Sequence, residues 1–205
     1  MAAPRTNITA TASAAADGEF SSAAQRERRQ RILDATLALA SRGGYEAVQM
    51  RAVADRAGVA LGTLYRYFPS KIHLLVSGLA REFERNQEKL DRMPIPGDTP
   101  YDRMLYVLAR LTRTMQREPM LTEAMTRAFM FADPSAAAEV NTVARLMERI
   151  LTRAMHEGEP TADEAAIARV IGDVWLSSLV AWVTRRASAD DVTNQLELAA
   201  RLLLR

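Results

Sequence analysis

Between Gln49 and Lys71 the chain carries polar and cationic side chains at spacings suited to reading a nucleic acid. Thr63, Tyr65, Arg66 and Tyr67 lie on one short segment that Pro69 ends. Their hydroxyl and guanidinium groups are donors for phosphate oxygens and for base edges in a major groove. Lys71 follows Ser70, where its ammonium and the free N–H groups of a new helix would converge on one phosphate. Gln49 and Arg51 open the preceding segment. From Gln49 to Val76, Arg51, Arg56, Arg66 and Lys71 face the single acid Asp55, a local excess of positive charge. A Tyr-Arg-Tyr face is also ordinary helix surface, so residue types alone leave both readings open.

Other chemistries have less to work with. The chain has no cysteine, and its two histidines, His73 and His156, stand far apart. His73 reads as a surface or capping residue. Neither a phosphate-cradling glycine loop nor a G-x-S-x-G elbow is present. No catalytic residue, metal ligand or cofactor is therefore expected. A helical lipid carrier or scaffold without DNA affinity is the rival, but it gives no reason to gather Thr63, Tyr65, Tyr67 and Lys71.

The elements that must position these groups read as helix after helix. Ile32, Leu33, Thr36, Leu37, Leu39 and Ala40 repeat at helical spacing, and the helix stops at Gly43-Gly44. Met50, Val53, Ala54 and Ala57 form a short second helix closed by Gly58. Leu64 and Phe68 belong to a third, and the spacing across Gly58-Val59-Ala60 is that of a helix-turn-helix. Ser70 caps a fourth helix with the stripe Ile72, Leu75, Val76, Leu79 and Phe83. Pro94, Pro96 and Gly97 then break the chain between Asp91 and Thr99. Five more helices follow, opened by Thr99-Pro100, Pro119, Asp133-Pro134, a Thr161–Glu164 capping box and Ser188. The eighth is expected to reach about Arg186. The chain reads as all-α, with a disordered arm over 1–21, a DNA-binding domain over 22–90 whose fourth helix is the connector, and a helical effector-binding and dimerisation domain over 99–205.

Net charge is only +2 over 205 residues, so the distribution of charge matters more than its sum. The absence of cysteine suits a reducing cytoplasm, the expected compartment. No leader with a long apolar run is read at the start. No uninterrupted apolar stretch of membrane length is read either, so no membrane partner is expected.

The run Gly58-Val59-Ala60-Leu61-Gly62-Thr63-Leu64-Tyr65-Arg66-Tyr67-Phe68-Pro69-Ser70-Lys71 resembles the signature of the TetR family of repressors. The resemblance covers about residues 25–85 in sequence and, through nine helices, the whole chain in architecture. It implies that Thr63, Tyr65, Tyr67, Lys71, Gln49 and Arg51 contact DNA, and that Leu61 and Gly62 sit close to base edges. Two positions depart from the pattern: Ala60, where Ser or Thr is usual, and Tyr67, where His is usual. Within the family, the complete sequence resembles repressors of cholesterol catabolism. That implies repression of steroid-degradation genes, relieved by a steroid-derived coenzyme A thioester.

Seven of the ten methionines lie between Met104 and Met155. Flexible thioethers adapt to large apolar ligands, although they also fill ordinary cores. The pocket candidates are Met104, Leu108, Leu111, Met115, Met125, Phe129, Met130, Met147, Trp175 and Trp182. Arg103, Arg110, Arg113 and Arg117 form one face of helix five. That row reads first as a solvated face. Arg110 and Arg113 are also candidates for the anionic groups of an acyl-CoA effector. The stripes of helices eight and nine, including Val174, Ser178, Leu196, Ala199 and Leu203, suggest a four-helix homodimer interface, though they could also close a monomer's core. A twofold dimer would read a double-stranded operator that is an inverted repeat.

Overall fold

The computed structural model describes the backbone of residues 8–204, with side chains described from residue 23. Among the described residues the chain is all-helical. Helices α1 (Ile8–Ala47), α2 (Met50–Ala57) and α3 (Leu61–Tyr67) form the head. Helix α4 (Lys71–Asp91) leads into α5 (Pro100–Arg117), α6 (Pro119–Met130), α7 (Ala137–Met155), α8 (Ala162–Val183) and α9 (Ala189–Leu203). The fold class expected from the apolar spacing is the one observed. Residues 1–7 of the expected arm lie outside the described residues. From Ile8 the backbone is helical and belongs to α1.

Helix α1 is broken near its end. Gly43 (φ −143°, ψ 20°) and Gly44 (φ 64°, ψ −157°) leave helical geometry, as the glycine pair predicts. Gly44 takes a positive φ that side chains resist, and a Cβ there would also lie 3.0 Å from the Glu123 carboxylate on α6. The turn after the break therefore presses close against α6.

One apolar core runs through head and body, from Ile32 and Leu33 through Leu64, Phe68 and Leu75 to Ile150, Trp175 and Ala200. The Pro94–Gly97 segment separates helices in sequence without separating two cores. Capping residues fix where the body helices start. Thr99 with Asp102, Thr161 with Glu164 and Ser188 with Asp191 each form a capping box. Asp133 accepts from Ser135 N at 2.8 Å ahead of the short 3-10 turn Pro134–Ala136.

Three expectations need correction. Arg103 is not part of a solvated row, because its guanidinium donates to Ala154 O at 2.9 Å and Met155 O at 3.0 Å, closing the free carbonyl end of α7. His73 is buried, bridging Ser70 Oγ at 2.9 Å and Ser135 O at 3.1 Å, since the connection before α7 folds over it. Helix α8 stops at Val183, short of the expected Arg186, and turns through Arg185 at φ 60°. By length and composition alone this helix could cross a membrane, a test that the core helix of a soluble protein also passes. Arg169 and Asp173 interrupt that apolar run, which is why reading for unbroken stretches passed over it.

Candidate DNA-reading head and effector chamber

The reading head is built on Gly58. Its φ of 65° and ψ of 42° place it in the left-handed region, and its N–H bonds back to Ala54 and Asp55 carbonyls. The chain then re-enters helix at Leu61 with no side-chain cap from Ala60, the departure visible in the sequence. Val53, Ala54, Ala57, Leu64 and Phe68 are buried and hold α2 and α3 on α1. The outer face of α3 is left to solvent. Leu61, Gly62, Tyr65 and Arg66 are exposed, whereas Thr63 and Tyr67 are half-buried. Gln49 and Arg51 are exposed at the start of α2. Gly62 is helical with open space where a Cβ would project.

Lys71 does not project freely beside these groups. Its Nζ donates to Tyr45 O at 3.1 Å, lies 3.9 Å from the centre of the Tyr45 ring and is 3.9 Å from the Glu46 carboxylate. The turn after Gly44 brings Tyr45 to the first residue of α4, a long-range meeting that local spacing does not show. A phosphate reaching Lys71 would compete with this cluster.

The same cluster joins head to body. Tyr45 N donates to Glu123 Oε2 at 3.1 Å, Arg127 lies 4.3 Å from the Tyr45 ring centre, and Arg127 pairs with Glu46 at 3.0 Å. Glu123 and Arg127 stand one turn apart on α6. Sequence reading missed Tyr45, Glu123 and Arg127; their one visible signal was Gly43-Gly44 ahead of an aromatic residue.

The other side of α6 faces an apolar chamber. It measures about 250 Å³ and is bounded by α4, α5, α6, α7 and α8. Four of the pocket candidates, Phe129, Met115, Met147 and Trp175, line it, joined by Leu79, Phe83, Thr126 and Val143. A smaller chamber of about 90 Å³ lies alongside, lined by Leu111, Met115, Met125 and Trp175 among others. The remaining pocket candidates fall elsewhere. Met104 and Leu108 are fully packed core, since α5 turns them towards other helices, and neither lines a chamber. Met130 is half-exposed at the end of α6, and Trp182, although two turns from Trp175, lies beyond the chamber walls. Arg110 and Arg113 line neither chamber, being on the other side of α5 from Leu111 and Met115. The cation at the chamber wall is Arg169, 3.7 Å from Glu148 across the α7–α8 gap, with Asp173 beside it.

Helices α8 and α9 pack on each other within the subunit. Leu196 is 3% exposed, buried within the subunit where α9 packs on α8 and α5, and so is not open to a partner. Ala199 and Leu203 are half-buried on α9. The outward apolar groups are Val170, Leu198 and Leu202, beside half-buried Val174 and Ser178. Counting apolar spacing on α9 gave the stripe but not which neighbour it meets.

Comparison with known proteins agrees with this architecture. Residues 32–77 match the model of bacterial regulatory proteins of the tetR family. Residues 97–203 match a tetracyclin repressor-like C-terminal domain. The HTH-type transcriptional repressor KstR of Mycolicibacterium smegmatis is 66% identical over 188 residues, covering 92% of this chain and 92% of that protein. KstR of Rhodococcus jostii is 66% identical, covering 96% and 92%. Among solved structures, a TetR transcriptional regulator from Rhodococcus sp. RHA1 superimposes with a TM-score of 0.81 at 33% identity, covering 88% of this chain and 97% of that one. Thermus thermophilus FadR, in complex with lauroyl-CoA, shares the fold at a TM-score of 0.67 and 23% identity, covering 86% and 93%. With both halves matched and relatives this similar along nearly the whole chain, the protein belongs to the tetR family of bacterial transcriptional regulators.

Proposed function

We propose that this chain is a dimeric repressor of steroid (cholesterol) catabolism genes, released from an inverted-repeat operator by a steroid-derived acyl-CoA thioester. Identity of 66% to KstR repressors over more than nine-tenths of the chain is the observation that carries the repressor reading. The effector reading draws support from an apolar chamber with a cation, Arg169, at its wall. Thermus thermophilus FadR, which shares the fold and was solved in complex with lauroyl-CoA, supports the same class of effector.

In this mechanism Leu61, Gly62, Thr63, Tyr65, Arg66 and Tyr67 meet the major groove, while Gln49, Arg51 and Lys71 meet the backbone. Two heads related by a twofold axis reach half-sites about one helical turn, roughly 34–36 Å, or a multiple of it apart. The effector enters between α7 and α8, with its anionic end near Arg169, and its apolar body presses on Thr126, Phe129, Leu79 and Phe83. Those residues sit on α6 and α4, the two helices that hold Tyr45 and Lys71. Effector and operator then favour different placements of the head, and the difference in affinity between the two placements is the regulation.

Fluorescence anisotropy on DNA upstream of steroid-degradation genes tests the reading. Tight, sequence-specific binding that a steroid acyl-CoA thioester weakens supports it. Operator affinity that ignores the thioester overturns the effector assignment, and binding indifferent to sequence and lost as salt rises overturns the operator assignment.

A further inference from the structure

The two chambers share a wall. Leu79, Phe83, Met115 and Trp175 line both the chamber of about 250 Å³ and the one of about 90 Å³. The larger chamber alone falls below the roughly 300–1,000 Å³ of pockets that enclose sizeable ligands. Its neighbour continues the apolar lining through Leu111, Leu121 and Met125. Within the wall, Phe83 and Trp175 are buried and locked edge to face, with ring centres 6.0 Å apart. Met115 is different: it is half-buried, and its unbranched thioether chain is of the kind that adapts its rotamer to what it packs against.

A second observation concerns polarity. Trp175 is 1% exposed, and its indole Nε1 has no hydrogen-bond partner among the described residues. A buried donor without an acceptor disfavours the state that holds it. Thr112 Oγ1 is also unpaired but lines neither chamber. Trp175 alone combines an unused donor with a place in the shared wall.

We propose that the two chambers are one effector site closed by Met115, and that Trp175 Nε1 reads an acceptor on the effector's buried end. This rests on the effector reading above and adds the ligand's chemical class. The ligand is an elongated apolar body with a carbonyl or hydroxyl oxygen at the end that enters first. It displaces the Met115 side chain, spans both chambers and gives the indole N–H its partner. Shorter apolar chains fill the first chamber against Met115 and Trp175 without displacing Met115 or offering the indole an acceptor.

The test compares three probes on the full-length protein: a steroid acyl-CoA thioester with a ring ketone far from the thioester, the same thioester without the ketone, and lauroyl-CoA. Dissociation constants are measured for the wild type, Met115→Trp and Trp175→Phe, with helical circular dichroism and a cooperative thermal melt showing that each variant is folded. The expected result is that Met115→Trp weakens both steroid thioesters at least ten-fold more than lauroyl-CoA. Trp175→Phe should weaken the ketone-bearing thioester about ten-fold relative to its ketone-free partner, the size of one lost hydrogen bond. Should Met115→Trp not fold, Met115→Ile has a stiff side chain of similar volume and should show the same selectivity for probe length. Losses equal across all three probes would overturn the proposal while leaving the effector reading intact, provided the wild type still releases DNA. A wild-type protein that binds neither steroid thioester overturns both.

Discussion

Gly62 separates a structural role from a reading role at a single position. A Cβ there would meet nothing within the chain, and the residue is inside a helix. Gly62→Ala should therefore leave the fold intact and stabilise it by about 0.5–1 kcal/mol, the helix preference of alanine over glycine. If α3 lies against base edges, the same methyl group should weaken operator binding at least ten-fold. Chemical denaturation and anisotropy on the same preparation check both halves; higher stability with undiminished DNA affinity would remove Gly62 from the interface. At this scale the sequence was informative where contacts are local. Gly58, Leu64, Phe68 and the uncapped Ala60 all occupy the roles their spacing implies. It was uninformative for Lys71, whose partner Tyr45 is 26 positions away, and for Arg103, whose carbonyl partners lie more than 50 positions away.

Among the elements, α6 has two working sides. One side lines the effector chamber with Thr126 and Phe129; the other holds the turn after Gly44 with Glu123 and Arg127. Replacing Arg127 by Gln removes the cation over Tyr45 and the pair with Glu46 without entering the chamber. Effector affinity and operator affinity should each stay within about two-fold of wild type, while the factor by which effector weakens operator binding falls by about five-fold, the lower end of typical allosteric coupling. Arg117→Gln, on exposed α5 surface, is the control. A coupling factor equal to the control's would assign transmission to α4 alone. Helix starts make a separate prediction. Ser135 holds the Asp133 carboxyl below the ordinary carboxylate range, Thr161 does so for Glu164 and Ser188 for Asp191, each by hydrogen bonds to the ionised form. A folded-state pKa below the unfolded one gives stability that is present above the unfolded pKa and lost as pH falls through the folded one. Melting temperature should accordingly drop as pH falls from about 4 downward, and Asp191→Asn should flatten part of that drop. The capping pairs were legible because partners lie two or three residues apart; the two-sided use of α6 was not, because it depends on what packs against each side.

At the scale of the whole molecule, the exposed faces of α8 and α9 call for a partner. Val170 is 47% exposed and Leu202 58%, on helices that otherwise pack against the core. A second copy related by a twofold axis would cover both and set the distance between two reading heads. Leu202→Glu should leave the subunit folded, shift the protein to monomer in sedimentation velocity, and weaken operator binding by about 100-fold or more through loss of the second head. An unshifted dimer would place the interface elsewhere. The sequence showed that α8 and α9 carry more apolar surface than one neighbour can use. It misassigned Leu196 because counting spacing on one helix does not tell which half of a broad stripe the subunit keeps for itself.

The shared wall of the two chambers also gives the protein a built-in optical signal. Only two tryptophans occur in the chain, and they stand in contrasting places: Trp175 in that wall, Trp182 half-buried beyond it. A ligand spanning both chambers changes the surroundings of one indole and leaves the other as an internal standard. Emission excited at the indole band should then report occupancy directly, unlabelled and in the absence of DNA, so that effector binding can be timed separately from operator release.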